Sequence, residues 1–367
     1  MLSPALETAA SRFGSVLRSP WLRPLNDLDA IDDLAATLAT TWSSRRIRAR
    51  VVDAIRETAD VRTLVLRPNR LWRGHRAGQH VLVDAEVDGR RVSRTFTISS
   101  PPRPDGTIAI TVKRRPQGKL SVWWNERATR GEVVTLGAPA GDFVLPAAPR
   151  GRIVMVSAGS GITPVMAMLR DLEARAHATP VLFIHSARRL EDVIFRGELE
   201  GLARRRSCFD LKLHLSEAGS RLDASSLARY ARAAGDDLAL VCGPGAFMEA
   251  VRAAWCDAGA EGRLRFEHFG LPSALISAAA EAASQPVHAN RSGLSFVAPG
   301  TSSLLAAAEA AGLAPAYGCR MGICHTCKCR KVAGVVVDLR TGRTSEEPGE
   351  MIQLCVSAAR SPLTLDL

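Results

Sequence analysis

Four cysteines constrain this chain more than any other feature. Cys319, Cys324 and Cys327 form a C-x4-C-x2-C run, and Cys355 follows well downstream. Eight cysteines in 367 residues are too few for a disulfide scaffold, and four of them fall between residues 319 and 329. Such clustering points to metal or iron–sulfur ligation in a reducing compartment. The spacing suits a [2Fe–2S] cluster: two irons need four thiolates, a wrapping loop presents three, and a separate strand supplies the fourth. Gly318 and Gly322 leave room for backbone amides to approach the sulfides. A structural zinc site is the competing reading, but zinc usually draws paired C-x2-C knuckles and only one pair exists here. A c-type haem would need C-x-x-C-H, whereas Lys328 follows Cys327. Cys329 is left as a spare thiol.

The chain is long enough for two or three domains, and 46% hydrophobic with 23% charged residues is ordinary globular composition. No stretch approaches eighteen unbroken apolar residues, which excludes a transmembrane helix. Residues 46–148 hold 19 basic and 10 acidic side chains, a net charge of +9. Within them, Ile47–Val52, Val61–Arg67, Gln79–Glu86, Arg91–Ile98, Thr107–Arg114 and Glu132–Gly137 read as strands, with Asp88-Gly89 as a hairpin turn. Six strands at this spacing predict a small antiparallel barrel. From residue 149 to 272 the rhythm changes. Short apolar runs at Ile153–Val156, Val181–Ile184, Leu211–Leu215 and Leu238–Cys242 are interleaved with helical patterns at Pro164–Ala176 and Ala246–Ala258. That alternation predicts a parallel sheet with crossover helices. Residues 273–286, rich in Ala and Ser, read as a linker. Residues 287–367 form a third unit with two short strands, a helix at Ser303–Ala311 stopped by Gly312, and the cysteine loop. Residues 1–45 form an N-terminal arm whose opening mixes apolar residues with Arg12, Arg18 and Arg23.

Three further motifs carry chemistry. Arg94-Thr95-Phe96-Thr97 ends a strand, and Gly118-Lys119-Leu120-Ser121 opens a helix. An arginine beside a helix N-terminus makes a phosphate site, and the neighbouring aromatic ring can stack on a flat ring system. Ser157-Ala158-Gly159-Ser160-Gly161-Ile162-Thr163-Pro164 follows a strand and opens a helix, where glycines let the backbone approach a pyrophosphate. Cys242-Gly243-Pro244-Gly245 ends a later strand of the same sheet. Cys242 alone reads equally well as a buried small apolar residue. The strand Val181–Ile184 is followed by Arg188 and Arg189 with no acid before Glu191, which favours NADPH over NADH. The competing reading makes both arginines solvated surface charges.

In this order, the motifs resemble the ferredoxin–NADP reductase superfamily with a plant-type ferredoxin domain at the C-terminus, over about residues 46–367. The resemblance implies an antiparallel β-barrel flavin domain, an α/β parallel-sheet nucleotide-binding domain and an α+β β-grasp ferredoxin domain. It implies FAD, a [2Fe–2S] cluster and NADPH, with NADH as the alternative. Arg94 would bind the flavin pyrophosphate with Gly118, Leu120 and Ser121. Phe96 would pack on the flavin ring and Thr97 would bond near its reactive nitrogen. The family usually has tyrosine where Phe96 stands, so one hydroxyl contact is missing. Gly159, Gly161 and Thr163 would hold the nicotinamide cofactor, with Cys242 and Gly243 near its ring and Glu267 and Phe269 closing the flavin site. The cluster ligands would be Cys319, Cys324, Cys327 and Cys355.

The implied function is electron transfer from NADPH through FAD and the cluster to a redox partner protein. A membrane desaturase or hydroxylase is the first choice. Pro24-Leu25-Asn26-Asp27 and Asp192-Val193-Ile194-Phe195 lean that way. The alternatives are a reductase component of a soluble oxygenase or cytochrome P450 system, and a regulatory iron–sulfur module with a degenerate flavin site. A cytoplasmic protein with peripheral membrane contact is expected. Although the chain is basic, it shows no interleaved aromatic platform, so no nucleic-acid partner is expected.

Overall fold

The computed structural model describes residues 40–147, 149, 151–269, 283–318, 322 and 326–367. The Met1–Leu25 arm, most of the 273–286 linker, Cys319 and Cys324 lie outside the described residues. The first domain is a six-stranded antiparallel sheet in the order β4-β3-β6-β1-β2-β5. Its strands are β1 (Ile47–Thr58), β2 (Val61–Pro68), β3 (His80–Val87), β4 (Arg90–Thr97), β5 (Ile108–Lys113) and β6 (Val133–Leu136). The bridge between Ile98 and Ile110 brings its two outer strands together, so the sheet curls into a barrel. Strand β3 shows why: Val81, Val83, Ala85 and Val87 alternate inward and are buried. Val87 pairs with Arg90 across the two-residue Asp88–Gly89 turn, with φ of 53° and 68°. Positive φ at both positions matches the right-handed twist of a hairpin. Helix α1 (Lys119–Glu126) plugs the barrel with Leu120 and Trp124, both almost fully buried.

The second domain is a parallel sheet in the order β11-β10-β7-β8-β9. It comprises β7 (Ile153–Ala158), β8 (Val181–Ala187), β9 (Phe209–Leu215), β10 (Leu238–Gly243) and β11 (Leu264–His268). Every residue of β7 is buried, as expected of a strand covered on both faces. The helices are α2 (Ile162–Ala174), α3 (Arg196–Arg205), α4 (Ala224–Ala234) and α5 (Gly245–Asp257). Strand order reverses between β7 and β10, so a crevice opens at their C-terminal ends, where such sheets bind ligands. The fifth strand, β11, was not foreseen. It is five residues long and alternates apolar with charged residues, a weak signal for a parallel strand.

The third domain holds the mixed sheet β13-β12-β19-β14-β17 and the small sheet β16-β15-β18. Its strands are β12 (Gln285–Ala289), β13 (Leu294–Ala298), β14 (Lys328–Ala333), β15 (Val336–Asp338), β16 (Thr344–Ser345), β17 (Met351–Gln353), β18 (Ser357–Ala359) and β19 (Leu363–Leu365). Helix α6 (Leu304–Ala310) starts at Ser303, whose side chain accepts from the Ala306 amide, and Gly312 follows its end at φ 86°. Strand β12 begins inside the expected linker, because Gln285 and Pro286 already pair with Ala298 and Val297.

Candidate functional site

A cavity of about 490 Å³ opens between the barrel and the parallel sheet. The barrel lines it with Arg94, Phe96, Thr97, Gly118, Leu120 and Ser121; the second domain adds Ser160, Thr163, Glu267 and Phe269. Nine residues singled out in the sequence therefore meet in one space. Phe96 packs at 5.6 Å from Trp124, which fixes the ring at the cavity wall. The Ser121 hydroxyl accepts from the Arg115 amide at 3.1 Å, and a Cβ at Gly118 would overlap that hydroxyl. The cavity thus keeps a backbone-lined cradle beside Arg94 at the N-terminus of α1, suited to phosphate. Two buried polar atoms on its wall, Thr95 Oγ1 and His80 Nε2, have no hydrogen-bond partner among the described residues. Unpaired buried groups are costly, and a polar ring system with hydrogen-bonding edges would satisfy them. The residues present therefore fit a flavin.

Sequence reasoning missed His80. Its Nδ1 lies 3.3 Å from Glu267 Oε1, so one pair of side chains spans the two domains at the cavity. His80 pairs in register with Thr97. The residues are 187 positions apart from Glu267 in sequence, and nothing short of the domain arrangement brings them together.

At the switch point, Gly159–Gly161 forms a single 3-10 turn leading into α2. A Cβ on Gly161 would overlap the Cys242 carbonyl and approach Gly243 Cα at 2.7 Å. One on Gly243 would come within 2.6 Å of the Phe247 ring. The glycines thus let the β7 and β10 turns touch, leaving the α2 N-terminus facing the cavity through Ser160 and Thr163. Gly159, Gly161 and Gly243 are not among the residues that line the cavity. Cys242 is fully buried and pairs in register with Glu267. Burial, then the nearby Glu267 carboxylate, pushes its thiol well above the usual cysteine value, so it stays protonated.

Arg188 and Arg189 follow β8, away from the cavity. Arg189 is held by Glu191 at 2.9 Å and Asp192 at 3.3 Å, with Glu217 at 3.8 Å. Arg188 is exposed and has no described side-chain partner.

In the third domain, Cys327 and Cys355 are both buried. A hydrogen bond with Cys355 holds the Cys327 thiol below its usual value, which favours the thiolate form that ligates iron. Gly322 adopts φ 70°, and its carbonyl accepts from Arg340 Nη1 at 2.8 Å and Gln353 Nε2 at 2.9 Å. Arg340 in turn binds Asp338 at 2.8 Å. Gln353 thus ties Gly322 to the strand that leads to Cys355 and Arg340 ties it to the turn after β15, and neither was foreseen. The buried thiol pair and the left-handed glycine suit the cluster.

Three family models match the chain. An oxidoreductase FAD-binding domain covers residues 48–145, an oxidoreductase NAD-binding domain 155–253, and a 2Fe-2S iron-sulfur cluster binding domain 287–360. An NADPH oxidoreductase of Mycobacterium tuberculosis is 37% identical over 342 residues, spanning 92% of this chain and 88% of that protein. The glycine betaine monooxygenase reductase subunit of Chromohalobacter salexigens is 31% identical over 357 residues, spanning 89% of this chain and 96% of that protein. The structure of phthalate dioxygenase reductase, a module for electron transfer from pyridine nucleotides to [2Fe-2S], aligns with a TM-score of 0.62 at 26% identity. That alignment covers 88% of this chain and 98% of the other. The chain therefore belongs to the ferredoxin–NADP reductase superfamily, as an NAD(P)H oxidoreductase in which electrons pass through FAD to a C-terminal [2Fe–2S] cluster.

Proposed function

We propose that this chain is the NADPH-specific reductase component of an oxygenase system. The observation that carries the reading is the interdomain cavity, where Arg94, Phe96 and Thr97 face Thr163 and Glu267. When bound, NADPH supplies a hydride that reduces FAD with one solvent proton, and the two electrons then leave singly through the cluster while the protons return to solvent. Arg94 would bind the flavin pyrophosphate with Gly118, Leu120 and Ser121, Phe96 would pack against the ring and Thr97 would bond near its reactive nitrogen, while Glu267 and Phe269 line the space from the second domain. Gly159, Gly161 and Thr163 would hold the nicotinamide cofactor at the turn into α2, with Cys242 and Gly243 near its ring. Cys242 packs and carries no nucleophile, since its thiol is neutral. Cys319, Cys324, Cys327 and Cys355 hold the cluster. Adding NADPH to the purified protein without oxygen should bleach the flavin absorbance and raise the EPR signal of a reduced [2Fe–2S] cluster. A flavin-free preparation would instead favour the regulatory-module reading.

Arg188 is the proposed 2′-phosphate ligand, because Arg189 is already neutralised by three acids. Losing one charge-assisted contact is worth about 1.5–3 kcal/mol. Arg188→Ala should therefore lower kcat/KM for NADPH about 10–100-fold and leave NADH nearly unchanged. Arg189→Ala should have the smaller effect. Equal losses with both nucleotides, or a wild-type preference for NADH, would reject the assignment.

The acceptor is a protein, because a cluster on its own domain serves one-electron delivery outward. Desaturase, hydroxylase and oxygenase partners all fit that chemistry, and the monooxygenase reductases among the relatives favour an oxygenase. A cytoplasmic location is supported by the reducing conditions that keep ligating cysteines as thiolates. No helix among the described residues is long and apolar enough to cross a membrane. The barrel's +9 charge suits an acidic partner or an anionic membrane surface met peripherally. Such docking should weaken as salt rises, since exposed charges are screened beyond about 8 Å at physiological ionic strength. Turnover with the acceptor should fall across a salt series while ferricyanide reduction stays level. A flat acceptor profile would remove the electrostatic contribution.

A further inference from the structure

We propose that Arg170 is a positioning residue that fixes the distance and angle between the nicotinamide and flavin sites by bolting α2 to the barrel; this rests on the cofactor reading above. Arg170 lies two turns into α2, the helix whose N-terminus carries the dinucleotide loop. Its Nη1 donates at 2.5 Å to the carbonyl of Ser99, two residues beyond Thr97 on the flavin strand. Its Nε and Nη2 grip both carboxylate oxygens of Glu198 on α3, at 2.9 and 2.5 Å. The guanidinium also sits 4.3 Å above the ring of Phe195. All three contacts come from one planar, always-charged group, which lysine cannot reproduce.

Phe195 shows that the arrangement is imposed. It is buried, and it holds φ 60° and ψ 25°, the left-handed region that disfavours bulky side chains. That backbone starts α3 and turns the ring under the guanidinium. The Asp192–Phe195 phrase thus has a structural role: it supplies the floor and the carboxylate-bearing helix that aim Arg170 at the barrel.

On the barrel side, Ser99 is fully buried and held a second way. Its Oγ lies 2.8 Å from Thr111 Oγ1, Thr111 Oγ1 lies 2.7 Å from Thr63 Oγ1, and Thr63 donates to Glu57 at 2.6 Å. Thr111 lines the flavin cavity. Burial raises the Glu57 carboxyl above its usual value, while Arg170 acts in the opposite direction. One side chain therefore joins the nucleotide helix, a buried hydroxyl row and the strand under the flavin. Hydride transfer moves one hydrogen with both its electrons from nicotinamide to flavin, a solvent proton completing the reduced ring. Its rate depends steeply on the approach of the two rings.

The test compares Arg170→Lys and Arg170→Met with wild type by stopped-flow flavin bleaching under NADPH saturation. NADP⁺ titrations alongside give Kd and the long-wavelength absorbance of a nicotinamide stacked on flavin. In Arg170→Met the limiting rate should fall about ten-fold or more and the stacking band should weaken, while Kd moves by less than about three-fold. FAD and iron content should hold, and Arg170→Lys should fall between. An unchanged limiting rate and band in Arg170→Met that retains FAD would overturn the proposal. If that variant loses FAD, Arg170→Lys decides alone: wild-type rate and band would overturn the proposal, and a slower rate at unchanged Kd would support it. Wild-type protein that never bleaches with either nucleotide would refute the cofactor reading instead.

Discussion

Cys355→Ser should remove the [2Fe–2S] EPR signal and leave FAD bound. Cys355 is buried against Cys327, in a different domain from the flavin cavity. Its loss would leave the proposed ligand set with three thiolates for two irons. Electron delivery to a protein acceptor should drop by about 100-fold or more, beyond the roughly 10–100-fold typical of outer-shell changes. Ferricyanide reduction from the flavin should persist. A normal cluster spectrum in this variant would move the fourth ligand elsewhere, with Cys329, two residues after Cys327, the thiol to try. Cys329 is itself buried in β14, and burial holds its thiol above the usual value, which suits a packed side chain.

Gly161→Ala should cost more than its single methyl suggests. The new Cβ would meet the Cys242 carbonyl and the Gly243 Cα, both backbone atoms that cannot swing aside. Overpacking against backbone should cost about 3 kcal/mol, and Tm should fall by roughly 4 °C if all 367 residues unfold together. Pushing the β7 turn off the β10 turn by even a fraction of an ångström also moves the α2 N-terminus, so NADPH-driven flavin reduction should slow by about 100-fold. Gly262→Ala is the control: it has open space around it and no unusual φ, so it should change neither quantity. If Gly161→Ala melts and turns over like Gly262→Ala, the two turns do not depend on their close approach.

The barrel, the parallel sheet and most of the flavin wall were legible in the sequence because they rest on local signals. Alternating valines made β3 readable, a glycine-rich turn made the start of α2 readable, and a fixed cysteine spacing pointed to the 2Fe-2S domain. What was not legible depends on domains meeting. Arg170 reads as a solvated charge on a helix until α3 and Ser99 are placed beside it. His80 reads as a strand residue until Glu267 arrives at 3.3 Å. Arg188 and Arg189 looked equivalent, and only the acids gathered around Arg189 separate them. Gly322 was singled out for its lack of a side chain, but its carbonyl's grip by Arg340 and Gln353 follows from tertiary approach.

The hydroxyl row under Ser99 has a direction. Each hydroxyl carries a single proton. With Glu57 ionised, Thr63 donates to it and Thr111 donates to Thr63, while the Ser99 proton has two acceptors in reach, Thr111 Oγ1 at 2.8 Å and the Ala109 carbonyl at 3.2 Å. Valine would fill Thr63 or Thr111 almost equally well by volume, yet it would break the row and strand the remaining partners. Buried polar groups that are fully satisfied in only one arrangement make neighbouring registers of a sheet unequal. The barrel therefore encodes which strands lie side by side in its hydroxyls, and an apolar replacement that leaves the barrel standing should still blur the alignment of β2 with β5.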